Sequence, residues 1–126
     1  MAVNVVSETP DRLITTPNGV VHPLAGPSRG SHQLSTWRIR MKPGSSSPEH
    51  MIDRDQVWMP VSGGFEVTVD GETASLLPGQ AVVIPADLLR QVRTTRTHGE
   101  ALVCMTPGGR ASVPGGEGTV PLPWAE

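Results

Sequence analysis

Two stretches of the chain decide its fold. Residues 44–64 read GSSSPEHMIDRDQVWMPVSGG, and residues 79–85 read GQAVVIP. In both, short apolar segments lie between glycines and prolines, and these segments are too short for helices. The whole chain has 14 Gly and 13 Pro among 126 residues, which also disfavours long helices. The two stretches therefore indicate short strands joined by tight turns.

Alternation of apolar and polar residues on both sides of these stretches predicts further strands. Trp37, Ile39 and Met41 alternate with polar residues, which gives one apolar face and one polar face. Asp70-Gly71 predicts a two-residue hairpin, because this pair tolerates the positive φ values that such a turn needs. The predicted strands are 34–42, 56–61, 65–69, 72–77, 81–84, 89–95 and 100–106. About seven short strands with regular turns predict an antiparallel sandwich or barrel.

The ends of the chain show little periodicity. Residues 1–18 carry turn and breaker clusters and are predicted to form an N-terminal arm. Residues 107–126 are rich in Gly and Pro and are predicted to lie over the body as irregular coil, held by Trp124. A chain of 126 residues can bury one core, so we expect a single domain, 1–126, with its barrel in 34–106.

Composition and charge exclude several classes of function. The hydrophobic fraction is 37%, which predicts a folded chain, and the net charge of -2 provides no basic surface for nucleic acid. The apolar runs are far shorter than the roughly 20 residues that cross a bilayer, so we expect a cytoplasmic protein without a membrane partner. The single cysteine, Cys104, excludes an intramolecular disulfide, a cysteine-based zinc site and a CxxC pair.

The spacing of the two stretches resembles that of the two cupin motifs. Five residues separate Gly44 from His50 and six separate Gln56 from Gly63, as in the first motif. Residues 79–85 resemble the start of the second motif. The likeness covers about residues 34–106. It implies an all-β fold, the cupin double-stranded β-helix or jelly-roll barrel.

Metal-binding cupins supply two His and a Glu from the first motif and a third His from the second. At these positions the chain has, in the same order, His50, Ile52, Gln56 and Arg90. An alkyl group donates nothing, a guanidinium repels a metal ion, and a carboxamide is a poor ligand. We therefore predict no metal of the family type and no cofactor.

The resemblance also predicts which side chains line the barrel. If His50, Gln56 and Arg90 face inward as in the family, then the residues two positions from them in each strand do so too. On the last strand, Leu102 and Cys104 share a face that the resemblance puts inside. The predicted apolar lining is Trp37, Ile39, Met41, Ile52, Trp58, Val92 and Leu102, with the Cys104 thiol. Apolar walls with a few polar groups are typical of a small-molecule site.

Each candidate residue has a functional and a structural interpretation. His50 is either a general acid or base, or a hydrogen-bonded imidazole of the barrel. Arg90 either binds an anionic oxygen or pairs at the rim with Asp87 or Asp53. Trp37 and Trp58 stack on a ligand or fill the core. Cys104 is either a nucleophile or an inert buried thiol.

We interpret the chain as a metal-independent enzyme of specialised metabolism acting on a mostly apolar, polyketide-like small molecule. The expected reaction is cyclisation or isomerisation by proton transfer, with His50 moving the proton and Arg90 and Gln56 holding the charged oxygen. The alternatives are a metal-dependent cupin oxygenase or cyclase, and a non-catalytic ligand-binding cupin. A homodimer through the N-terminal arm and a sheet edge is also expected, since exposed edges invite pairing.

Overall fold

The computed structural model describes residues 3–126, so Met1 and Ala2 of the predicted arm lie outside it. Within residues 3–126, twelve strands follow one another in chain order. The first six are β1 (Ile14–Thr16), β2 (Gly19–Pro23), β3 (Ser35–Met41), β4 (Met51–Ile52), β5 (Gln56–Gly63) and β6 (Phe65–Val69). The other six are β7 (Glu72–Leu76), β8 (Val82–Ile84), β9 (Arg90–Arg93), β10 (Gly99–Met105), β11 (Arg110–Ser112) and β12 (Val120–Pro121). Over the described range the helices are short 3-10 turns at Pro10–Arg12, Pro27–Arg29 and Pro123–Ala125.

The strands form three antiparallel sheets around one core. A six-stranded sheet has the order β1-β2-β3-β10-β5-β8, and two three-stranded sheets have the orders β7-β6-β9 and β12-β11-β4. The core includes side chains from all three, such as Trp37, Phe65 and Ile52. Trp58 and Phe65 meet edge to face across the core, with ring centroids 5.7 Å apart. The predicted all-β jelly-roll class is confirmed.

Tight turns set the strand order where the sequence predicted them. Asp70 (φ 50°) and Gly71 (φ 84°) close the hairpin that pairs β6 with β7. Gly63 ends β5 at φ 68°, and a Cβ there would lie 1.8 Å from the carbonyl oxygen of His98. Only glycine allows both this backbone conformation and this close approach.

Both chain ends contain short strands that the sequence did not predict. The arm includes a short strand, because β1 pairs with β2 from Ile14 to Thr16 through a turn in which the Thr16 hydroxyl accepts the backbone N–H groups of Asn18 and Gly19. The tail is also less irregular than predicted, since β11 pairs with both β12 and β4. Strands of two or three residues are too short for alternation to reveal them.

No helix between residues 3 and 126 is long and apolar enough to span a membrane.

Candidate functional site

A cavity of about 430 Å³ opens between the six-stranded sheet and the three-stranded sheet β12-β11-β4. Its volume is within the range of small-molecule sites. Eight of the ten predicted site residues line it: Trp37, Ile39, His50, Ile52, Gln56, Trp58, Arg90 and Val92. A second cleft of about 420 Å³ lies beside β7 and β8, and none of the predicted site residues line it.

The prediction that Leu102 and Cys104 face the lumen is wrong. On β10 the buried residues are Gly99, Ala101, Val103 and Met105, and Leu102 is 36% exposed on the opposite face. Val103 lies between Trp37 and Trp58 in the register of the neighbouring strands, which fixes the inward side. The sequence did carry a signal of which side is inside, because Glu100 shares the face of Leu102 and Cys104 and pairs there with Arg38. Cys104 therefore lies outside the cavity.

The C-terminal tail forms one wall of the cavity, which the sequence did not predict. Trp124 packs edge to face on Trp37 with ring centroids 6.4 Å apart, and the Ser35 hydroxyl donates to the Ala125 carbonyl at 2.5 Å. The tail residues in the lining are Ala111, Val113, Val120, Pro121, Leu122, Pro123 and Trp124. The single signal in the sequence was Trp124, a large aromatic residue in a stretch of Gly and Pro.

Arg90 lies at the start of β9, opposite His50. The backbone N–H of each residue donates to the carbonyl of the other, at 3.0 and 2.9 Å. The Arg90 side chain is 3% exposed, and it donates from Nε to His50 Nε2 at 3.2 Å and from Nη2 to Gln56 Oε1 at 2.7 Å. Pairing at the rim with Asp87 or Asp53, the structural alternative, does not occur, since neither carboxylate forms an ion pair with Arg90.

Gln56 has its amide orientation set by two donors. Its Oε1 accepts from Arg90 Nη2 and from Trp58 Nε1, the latter at 3.0 Å, and its Nε2 donates to Met105 Sδ at 3.4 Å. The oxygen therefore uses both of its lone pairs within the protein. Gln56 holds Arg90 in the cavity wall, and its oxygen has no lone pair left to accept a hydrogen bond from a ligand.

His50 is held in one neutral tautomer. Its Nδ1 lies 2.7 Å from the Pro48 carbonyl, which can only accept, so Nδ1 carries the proton and Nε2 accepts from Arg90. Burial is the main cause that lowers the pKa of His50 below its usual value, and the Arg90 cation lowers it further, against the opposing effect of the Pro48 carbonyl. His50 is therefore neutral at pH 7.

Arg90 Nη1 is a buried donor without a partner among the described residues. Burial lowers the pKa of Arg90 to about 10, so the guanidinium still carries its charge at neutral pH. Both of its acceptors are neutral, and a buried charge of this kind is costly unless it is paired. The arrangement therefore provides one positive charge in the wall of an apolar cavity, with one buried donor nitrogen that has no acceptor within residues 3–126.

The donor set does not fit the metal that cupin motifs imply. His50 directs its Nε2 lone pair at a guanidinium, Ile52 is a buried alkyl group, and Arg90 itself is a cation. Divalent transition metals need several imidazole, thiolate or carboxylate donors in one polyhedron. Within residues 3–126, no group of three or more His, Cys, Asp or Glu side chains offers such a polyhedron elsewhere.

The sequence matches the Cupin domain family model over residues 37–107. A comparison with curated proteins finds no match.

Solved structures with the same fold include three of named function. KdgF from Halomonas sp. is 20% identical with a TM-score of 0.67, over 79% of this chain and 91% of that one. DMSP lyase DddQ from Ruegeria pomeroyi DSS-3 is 18% identical with a TM-score of 0.68, over 90% and 62% of the two chains. Oxalate decarboxylase from Bacillus subtilis is 17% identical with a TM-score of 0.73, over 86% of this chain and only 30% of that one. At these identities the likeness shows the fold.

Proposed function

Because the chain belongs to the cupin family, we propose that it takes a planar, mostly apolar small molecule into the barrel and binds one anionic oxygen of it at Arg90. The observation that carries this proposal is the buried Nη1 of Arg90, which has no acceptor within the described chain. A charged hydrogen bond to a ligand oxygen would supply that acceptor and neutralise the buried cation. Oxalate, the small dianion in the name of one neighbour, suits these apolar walls poorly.

The chemistry that this site favours is metal-independent isomerisation or cyclisation through an enolate. When the C–H bond beside a carbonyl breaks, the proton passes to a solvent water, the electron pair moves to the carbonyl oxygen, and Arg90 would stabilise that charge. In a cyclisation the enolate carbon then bonds to a second carbonyl carbon of the same molecule, whose oxygen takes up a proton from solvent. A polyketide-like 1,3-dicarbonyl compound is acidic enough for water to accept its proton once Arg90 stabilises the enolate, so no strong protein base is required.

Non-catalytic binding is the second candidate, and one observation favours it. Both ring nitrogens of His50 already have partners, Pro48 and Arg90, so His50 would have to release Arg90 before it could accept a substrate proton. A site that only binds an anion needs no such release.

Calorimetric titration with matched probes tests the binding. We expect the native protein to bind 2-naphthoate more tightly than the neutral 2-naphthamide. Arg90→Leu should lose about 1.5 to 3 kcal/mol for 2-naphthoate, with unchanged affinity for 2-naphthamide. Arg93→Leu is the matched control, because Arg93 lies on the same strand but donates to Glu66 outside the cavity. Equal affinity of native protein and Arg90→Leu for 2-naphthoate would contradict the proposal.

Deuterium exchange separates catalysis from binding. With the apolar ketone 2-tetralone in D₂O, an enolising enzyme accelerates exchange beside the carbonyl, Arg90→Leu abolishes the acceleration, and EDTA leaves it unchanged. Binding of 2-naphthoate with no acceleration of exchange would favour the non-catalytic candidate.

A further inference from the structure

A single chain of hydrogen bonds fixes the plane of the Arg90 guanidinium. His50 is held by the Pro48 carbonyl and accepts from Arg90 Nε at 3.2 Å. Gln56 is held by Trp58 Nε1 and accepts from Arg90 Nη2 at 2.7 Å. Two bonds from two nitrogens of a planar group define its plane and rotation. Because the group is planar, the direction of the third nitrogen, Nη1, is then fixed as well.

Both acceptors are neutral, and this decides what Arg90 can do. A carboxylate at either position would cancel the charge of the guanidinium and weaken its attraction for a second anion. A carboxamide and a neutral imidazole accept the same hydrogen bonds and leave the charge in place. Gln56 is 2% exposed and Arg90 is 3% exposed, so solvent screens this charge little.

We propose that His50 and Gln56 are positioning residues, which hold the Arg90 guanidinium as a fixed and uncancelled cation for a monoanionic ligand. The inference rests on the proposed function, because it assigns how that site presents Nη1. It gives His50 a role different from proton transfer. His50 Nε2 works as a hydrogen-bond acceptor, a role that a neutral amide oxygen can also fill.

Three substitutions test whether His50 acts as a hydrogen-bond acceptor and not in proton transfer, and whether the neutral charge of Gln56 matters. His50→Gln presents an amide oxygen close to the place of Nε2 and exchanges no proton near pH 7. His50→Leu removes the acceptor and keeps an apolar side chain. Gln56→Glu keeps an acceptor for Arg90 and Trp58 and adds a negative charge.

The experiment measures the affinity of each variant for 2-naphthoate and 2-naphthamide at pH 7.5. We expect His50→Gln to stay within about threefold of the native affinity for 2-naphthoate, and His50→Leu and Gln56→Glu to lose about tenfold or more. Affinity for 2-naphthamide should stay near the native value in all three, which also shows that the cavity is intact. If His50→Leu does not fold, His50→Gln and Gln56→Glu still decide the question.

Two results would overturn the inference. One is a loss in His50→Gln as large as that in His50→Leu, which would mean that the imidazole itself is needed. The other is native affinity for 2-naphthoate in Gln56→Glu or His50→Leu. Both differ from a failure of the proposed function, in which Arg90→Leu binds 2-naphthoate as well as native protein does.

The exchange of 2-tetralone adds a readout that a purely structural role would not move. If His50 positions Arg90, His50→Gln keeps the native rate within about threefold. If His50 is the general base, the same variant loses about 100-fold or more.

Discussion

Arg90 and His50 are joined twice, by a reciprocal pair of backbone hydrogen bonds at 2.9 and 3.0 Å and by the side-chain bond from Arg90 Nε to His50 Nε2 at 3.2 Å. The backbone pair fixes the two residues directly opposite each other. The distance between their side chains thus follows from strand register and does not depend on a flexible loop. A buried cation and its neutral acceptor are in this way built into the barrel wall.

This buried cation leads to a prediction about stability. Arg90→Met should unfold in urea with a free energy equal to or above that of native protein in the absence of ligand, because it removes a buried charge with an unpartnered nitrogen. Gln56 Oε1 keeps its bond from Trp58 Nε1 in the variant, and His50 Nε2 loses a partner at a cost of about 1 kcal/mol. A stability loss of more than about 2 kcal/mol would show that Arg90 stabilises the fold.

His50 gives a pH dependence whose sign can be worked out. Burial lowers its pKa in the folded state below that in the unfolded chain. As the pH falls through the unfolded value, about 6.5, the unfolded chain takes up a proton that the folded chain does not, so stability falls until the folded pKa is passed. Unfolding of native protein and His50→Gln should be measured between about pH 7.5 and 5.5. Toward low pH, the free energy of unfolding of the native protein should fall relative to that of the variant. Parallel pH dependences of the two free energies would contradict this.

The sequence predicted the barrel because its signals are local. Trp37, Ile39 and Met41 show the alternation of a half-buried strand, and Asp70-Gly71 is a hairpin turn in its own right. The strands that it missed, β1, β2, β4, β11 and β12, are mostly two or three residues long. Their pairing depends on where the arm and the tail cross the barrel. A short stretch of sequence carries no information about such long-range contacts.

Most of the site residues predicted from the sequence do line the cavity, but the geometry of the site was predicted only in part. The resemblance to cupins put His50, Gln56 and Arg90 in the barrel lining, and all three line the cavity. The resemblance failed for Cys104, which shares its face of β10 with the charged Glu100. The hydrogen bonds that occupy His50 Nε2 and leave Arg90 Nη1 without a partner depend on differences of a few tenths of an ångström, and residue spacing has no such resolution.

Trp124 is predicted to hold the tail as a cavity wall. It packs on Trp37, and the tail residues from Val120 to Trp124 line the cavity. Trp124→Ala should lower the free energy of unfolding by about 2 to 4 kcal/mol through lost aromatic packing. It should also weaken binding of 2-naphthamide, because the wall loosens. Leu102→Ala on the outer face of β10 is the control, and it should leave the affinity unchanged; a tail variant that binds 2-naphthamide as native protein does would contradict the role of the wall.

The last prediction concerns metal, and it follows from the residues at the four motif positions. Native protein purified without chelator should contain much less than one equivalent of Fe, Mn, Ni, Cu or Zn, since Ile52 offers no donor and Arg90 brings a positive charge to His50 Nε2. The triple variant Ile52→His, Gln56→Glu, Arg90→His removes that cation, frees His50 Nε2 and adds two imidazoles and a carboxylate around the same cavity. It should bind one divalent ion, with an affinity that falls as the pH drops because the imidazoles must be neutral. Elemental analysis of both proteins, with melting temperatures to show that both are folded, measures this.

Stoichiometric metal in the native chain would contradict the interpretation of Arg90 as a fixed cation. A folded triple variant without metal would show that the four side chains do not converge on one point of the lumen.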